Sequence, residues 1–211
     1  MTKLDFKRTE KPFYSAPSGQ WQRIDIPGRT FAAIDGLGDP GGPDYARALS
    51  ALYPVAYGVK AIRRTAGADF IVPPLEALWW ADDPAAFVTG DRAAWRWTVL
   101  LRLPDSTDAG VFAAARDGAL KKLARRKEAA TDAATVQAVR LAGLTEGDCL
   151  QRLHLGPYVD EAPVLADLHD RLMPGLGVTF NGPHHEVYLG DPRRTTPERL
   201  KTILREPVRP L

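Results

Sequence analysis

The stretch His184-His185-Glu186-Val187-Tyr188-Leu189-Gly190-Asp191-Pro192-Arg193-Arg194 places a carboxylate and a phenol on one face of an otherwise core-like strand. Side chains alternate along a strand, so Glu186 shares a face with His184 and Tyr188, while Val187 and Leu189 point the other way. An acid in that setting is paired, protonated or used. Pro192 closes the strand. Thr196-Pro197-Glu198 then reads as a helix start, with a hydroxyl cap, a proline at the first helical position and an early acid.

Upstream of this stretch, Cys149 to Leu155 reads as a strand, Gly156-Pro157-Tyr158 as a turn, and Val164, Leu165, Leu168 and Leu172 as one face of a helix. The same order occurs earlier in the chain. Thr30 to Asp35 is strand-like, and Gly36 to Pro43 is a turn, because it lacks the Gly-Lys-Ser/Thr ending of a phosphate loop. From Asp44 to about Arg64, Leu49, Leu52, Tyr53, Ala56 and Tyr57 recur at helical spacing, and Pro54 is expected to bend the helix. Strands are expected at Asp69 to Val72, Leu75 to Trp80 and Trp95 to Leu103. In the last of these, Trp95, Trp97, Val99, Leu101 and Leu103 share a buried face opposite a partly wet one carrying Arg96, Thr98 and Arg102. Asp108 to about Leu144 reads as helical.

The fold class that follows is α+β. A pseudo-two-fold repeat of strand-helix-strand-strand units forms an antiparallel sheet with helices on one side and a central ligand pocket where the copies meet. The expected organisation is one domain over residues 1–211, with a first repeat at about 21–103, a helical connection at about 108–145 and a second repeat at about 148–206.

The 211 residues carry 28 Lys plus Arg against 26 acids, and a net charge of +2 is too small to imply nucleic acid or an anionic membrane as partner. The basic run Lys121 to Lys127 has no interleaved aromatics and reads as a solvated helix face. Cys149, the single cysteine, reads as a small core residue. Met1 to Lys7 lacks the apolar stretch of a signal peptide and no segment approaches a membrane span, so a soluble cytoplasmic protein is expected. His184 and His185 point to opposite faces and cannot chelate one ion, and His154 and His169 have no ligand partners at fitting spacing. Neither metal nor cofactor is expected, and there is no nucleophile elbow.

Four ordered motifs resemble the GyrI-like small-molecule-binding family, which includes the effector domains of multidrug-responsive transcription activators. They are Val72-Pro73-Pro74-Leu75-Glu76-Ala77-Leu78-Trp79-Trp80, Trp95-Arg96-Trp97-Thr98, Gln151-Arg152-Leu153-His154-Leu155-Gly156-Pro157-Tyr158, and His184 to Leu189 followed by Asp191-Pro192-Arg193-Arg194. The resemblance spans nearly the whole chain. It implies a pseudo-symmetric pair of units around a ligand pocket, with the family's pocket acid falling on Glu186. The chain resembles the stand-alone branch, since no helix-turn-helix region precedes the first strand. Within that branch its Pro-Leu-Glu-x-Leu-Trp-Trp and His-His-Glu-x-Tyr-Leu motifs are similar to those of proteins that open the cyclopropane of DNA-alkylating natural products by adding water. Ala77 stands where relatives often carry glycine.

That chemistry needs a base to direct water, a donor for charge developing on a conjugated carbonyl, and flat walls for a planar ligand. Glu186, Tyr158 or Tyr188, and Trp80 with Trp97 are the candidates. Tyr53 and Tyr57 on the long helix, and Glu76 beside Trp80, are further ligand contacts. Parity groups Trp80 with Glu76 and Leu78, and if Trp79 faces the ligand instead, Glu76 lies outside. Burial in an aromatic pocket would raise the pKa of Glu186, which suits it to act as an acid, a base or the counter-ion of a cationic aromatic ligand. A plain structural ion pair at Glu186 remains open. His184 is a minor pocket candidate and His185 a core histidine. The partner expected is a planar aromatic or cationic small molecule, bound with turnover or sequestered without it. In a rival reading the protein touches a topoisomerase.

Overall fold

The computed structural model describes residues 3–211, so Met1 and Thr2 lie outside the described residues. In chain order its elements begin with a one-turn helix α1 (Phe6–Thr9), strands β1 (Gln22–Ile26) and β2 (Arg29–Leu37), and the long helix α2 (Pro43–Thr65). Next come β3 (Glu76–Trp80), α3 (Ala85–Thr89), β4 (Arg96–Leu103), α4 (Ala109–Leu123), α5 (Ala133–Ala138) and β5 (Arg140–Leu144). The remainder holds β6 (Gly147–Leu155), α6 (Ala162–Asp167), a π-helical turn at Leu168–Leu172, α7 (Met173–Gly175), β7 (Val178–Phe180), β8 (His184–Tyr188) and β9 (Lys201–Pro210). Internal contacts divide the chain into two compact units, the first from residues 3–9 and 29–144, the second from 10–28 and 145–211.

The first unit is an antiparallel sheet in the order β3-β4-β2-β5. Ala32 pairs with Leu101 and Ile34 with Val99 on one face, where Trp97 meets Tyr45 of α2 edge-on at 5.0 Å. Gly36 makes room for that indole, because a Cβ there would stand 2.0 Å from Trp97 Cη2. Phe31, Ala33 and Leu100 fill the opposite face with Leu78, Ala142 and Leu144 against them. The face expected to be partly wet is therefore buried. Arg102 lies over the Phe6 ring at 4.9 Å and pairs with Asp105 at 2.5 Å, and the Thr98 hydroxyl donates to Asp35 at 2.7 Å.

Two further expectations here need correction. The helical reading of residues 108–144 fails at Arg140, where β5 pairs with β2 and packs Ala142 and Leu144 onto Phe31 and Ala33. Tertiary burial overrides a weak local pattern there. Asp69 to Val72 makes only a single bridge, Phe70 with Leu4, since Lys60 holds Asp69 at 2.6 Å and Pro73-Pro74 ends any ladder. α2 runs from Pro43 through Pro54 to Thr65 as one helix, as its spacing required.

The second unit repeats the layout, with the order β8-β9-β6-β1, and β7 pairs with the far end of β9. β3, β4, β2 and β5 of the first unit thus correspond to β8, β9, β6 and β1 of the second. Its helical segment packs Leu168 and Met173 on Leu150, Val178 and Val208. The helix expected after Thr196 is only a single 3-10 turn, Pro197–Arg199, and the chain then enters β9. Two prolines and the charged pair Arg205-Glu206 hide this strand from sequence patterns. Both charges are satisfied inside the fold. Arg205 donates to Glu146 at 3.2 Å and to the Phe13 carbonyl at 2.9 Å, and His185 bonds Glu146 at 2.7 Å on the same face. Cys149 is buried, and burial pushes its thiol pKa up, as a core residue requires.

Because β9 carries pairings to β6, β7 and β8, deletion of residues 201–211 is expected to abolish cooperative unfolding of the second unit, read by circular dichroism and hydrogen exchange. A shortened chain that melts cooperatively at the wild-type temperature contradicts this strand layout.

Candidate functional site: a buried carboxylate-histidine cluster

Alternation and register set the site in the second unit. Glu186 lies opposite Leu204, Tyr188 opposite Thr202, and Glu206 opposite Leu150, which packs under the helices. His184, Glu186 and Tyr188 from β8 and Thr202 and Glu206 from β9 therefore share the helix-side face. The helical segment closes over them. Gly156, at φ 131°, takes a conformation open to glycine alone, and His154 Nε2 bonds the Pro157 carbonyl at 3.1 Å. This turn delivers Tyr158 and then Glu161 onto the cluster. Beyond α6, the π-helical segment brings His169 to 3.5 Å from Glu206.

Two carboxylates flank the His184 ring. Nδ1 is 3.1 Å from Glu206 Oε2, and Nε2 is 3.6 Å from Glu186 Oε1. Burial opposes a charged imidazolium, but the bonds to Glu186 and Glu206 outweigh it and raise the His184 pKa from 6.5 to about 10. Burial likewise opposes ionisation of Glu206, yet the bonds from His169 and His184 hold its pKa below the ordinary carboxylate range. Tyr158 meets Tyr188 edge-on at 5.7 Å. Desolvation, then the charges of Glu186, Glu161 and Asp191, push the Tyr158 phenol up to about 12.

Glu161 is the acid that sequence reading missed. It is 5% exposed, and its Oε1 has no hydrogen-bond partner among the described residues. Desolvation first, and the negative charge of Glu186 second, hold its pKa well above the ordinary carboxylate value. The neutral acid is thus Glu161, on the turn before α6, where sequence signals alone mark it as a helix-start acid. Glu206 was hidden with its strand, and His169 by the π turn, which no residue spacing announces.

Of the residues singled out from sequence, Glu186, Tyr158 and Tyr188 come together, with His184. His185 faces the other side of the sheet, bonded to Glu146. The rest belong to the first unit. Trp97 is 1% exposed beneath α2 and pairs across the ladder with Trp79, which stacks on Tyr45. Trp80, opposite Arg96, lies on the other face with Glu76 and Leu78, so Trp80 and Trp97 do not form one wall. Glu76 is fully buried, with Arg29 at 3.7 Å. Tyr57 is 52% exposed on α2, and Tyr53 is half-buried.

These features define an α+β protein with antiparallel sheets and a buried cluster of titratable side chains. Neither protein-family models nor curated proteins give a match. Among solved structures, an uncharacterized conserved protein from Listeria innocua is 38% identical, covering 98% of this chain and 100% of that one with a TM-score of 0.86. A hydrolase from Listeria innocua is 36% identical over 98% and 100% of the two chains, with a TM-score of 0.81. The EcmrR C-terminal domain shares the fold at 11% identity, over 91% of this chain and 98% of that one, with a TM-score of 0.56. At the identity and coverage of the Listeria proteins, the chain belongs to their family, and its fold is the GyrI-like one shared with the EcmrR C-terminal domain. Among the described residues no helix is long and apolar enough to cross a membrane.

The cluster makes stability pH-dependent in a definite direction. His184 has its pKa raised on folding, so its contribution is fully present below about 6.5 and is lost as pH rises through about 10. Glu161 acts with the same sign, since above about 4.5 the unfolded chain releases a proton that the folded chain keeps. The urea midpoint is expected to fall as pH is raised from about 6.5 to about 10, and Glu161→Gln is expected to flatten the slope. Parallel profiles for the two proteins contradict the raised pKa of Glu161.

Proposed function

We propose that this protein binds planar lipophilic small molecules in the cytoplasm and detoxifies them by opening a strained cyclopropane with water. The observation that carries the reading is the pair Glu161 and Glu186, one carboxyl held neutral beside another that faces the His184 imidazolium. Two acids placed in contrasting environments supply the acid and the base of one reaction.

Glu186 accepts a proton from water as the water oxygen bonds the electrophilic ring carbon. The cyclopropane carbon–carbon bond breaks, and its electron pair moves into the conjugated carbonyl. Glu161 donates a proton to that oxygen, and return of the proton from Glu186 to Glu161 restores the starting state. Tyr158 and Tyr188 offer an aromatic edge pair beside the reacting groups. With its pKa at about 12, Tyr158 donates a hydrogen bond without giving up its proton.

The same tyrosine pair beside Glu186 favours a second reading, the non-catalytic capture of cationic aromatic ligands by ring faces and a counter-charge. No comparable feature supports contact with a topoisomerase.

Incubation with a cyclopropanoid DNA alkylator is expected to give a product heavier by one water, seen by mass spectrometry over many turnovers. Glu186→Gln should lower turnover by about 10² or more while neutral ligands still bind. Protection that stops at one ligand per chain, with Glu186→Gln weakening cationic ligands alone, selects the binding reading instead.

A further inference from the structure

The side chain of Glu206 is 2% exposed and lies between two histidines, His184 Nδ1 at 3.1 Å and His169 Nε2 at 3.5 Å. Occupation of Nδ1 by a carboxylate fixes the orientation and the protonated nitrogen of an imidazole. The other nitrogen of His184 then points at Glu186 Oε1, 3.6 Å away, and has no closer hydrogen-bond partner among the described residues. The order carboxylate, imidazole, carboxylate therefore runs across the helix-side face of the second unit's sheet, from Glu206 on β9 to Glu186 on β8.

We propose that Glu206 is a positioning residue, which holds His184 through Nδ1 so that its ring presents a fixed positive charge to Glu186. The inference rests on the reading of Glu186 as the base. Every neighbouring element supplies a group to this balance: Glu186 and Tyr188 from β8, Thr202 and Glu206 from β9, Tyr158 and Glu161 from the turn before α6, and His169 from the π turn. With Glu161 neutral, Glu186 and Glu206 carry two negative charges against one on His184. Loss of the Glu206 charge leaves burial to dominate, and the His184 ring then gives up its proton near neutral pH. Glu186 would then face no adjacent cation, and the contrast in surroundings between it and Glu161 that divides base from acid is lost.

The test is a nuclear magnetic resonance titration of histidine-labelled full-length protein from about pH 5 to about pH 10, beside a pH profile of turnover. In wild type, His184 is expected to remain an imidazolium through pH 8. In Glu206→Gln its midpoint should fall to about 7, and Glu206→Asp, which keeps the charge, should hold it above that of the Gln variant. Turnover by Glu206→Gln should match wild type at low pH and drop by about tenfold or more at high pH, in kcat and not KM. A role in packing alone lowers stability without moving either profile.

Unchanged His184 titration in Glu206→Gln overturns the proposal. So does a wild-type His184 that titrates near its ordinary value, a result that decides the matter even if Glu206→Gln does not fold. Absence of turnover in wild type refutes the hydrolytic reading and leaves the titration to judge Glu206.

Discussion

Glu161, Glu186 and Glu206 share one small layer between the helix-side face of the second unit's sheet and the segment that packs on it, and three like charges cannot coexist there. At an effective dielectric constant of about 20, two unit charges about 4 Å apart repel by about 4 kcal/mol, close to the whole stability of many domains. The layer resolves this with two devices. His184 places positive charge against Glu206 and Glu186, and Glu161 keeps its proton. The resulting asymmetry between two neighbouring carboxyl groups is what the chemistry needs. Burial and charge repulsion are thus the source of the proposed function as well as a cost to the fold.

The two units share a strand order, and comparing the corresponding strands β3 and β8 shows how the second acquires chemistry. β3 in the first unit and β8 in the second each carry a glutamate. Glu76 is fully buried and faces Arg29, a guanidinium that keeps its proton at any physiological pH. Glu186 faces a histidine, which can lose its proton, and a second acid stands nearby. The two glutamates lie on opposite faces of their units, Glu76 away from α2 and Glu186 on the helix side, so one strand carries an ion pair with a permanent cation and the other a titratable cluster. Buried ion pairs of the first kind contribute little net stability against apolar replacements.

Much of this was legible in the sequence. Alternation along His184 to Tyr188 put Glu186, His184 and Tyr188 on one face, and the spacing from Leu49 to Tyr57 gave α2, because both signals are periodic and local. The turn at Gly156 was likewise marked by residue type. β9 was not legible, since its buried Arg205 and Glu206 are satisfied by residues distant in sequence and so look like a surface segment. Glu161 depends on how a turn folds back over a sheet, which no period encodes. Trp97 could not be assigned from sequence, because an aromatic on a strand's apolar face reads the same whether a helix or a ligand covers it. In the fold, Tyr45 of α2 packs edge-on against it.

The protonation state of Glu161 is the point on which the account turns, and infrared difference spectroscopy reads it without ligand or turnover. The spectrum of wild type minus Glu161→Gln at neutral pH should contain the carbonyl stretch of a neutral carboxylic acid, shifting on deuteration and disappearing when the pH is raised far enough to ionise it. A difference spectrum with carboxylate bands in its place would mean that Glu161 is charged beside Glu186, and the assignment of acid and base would be wrong.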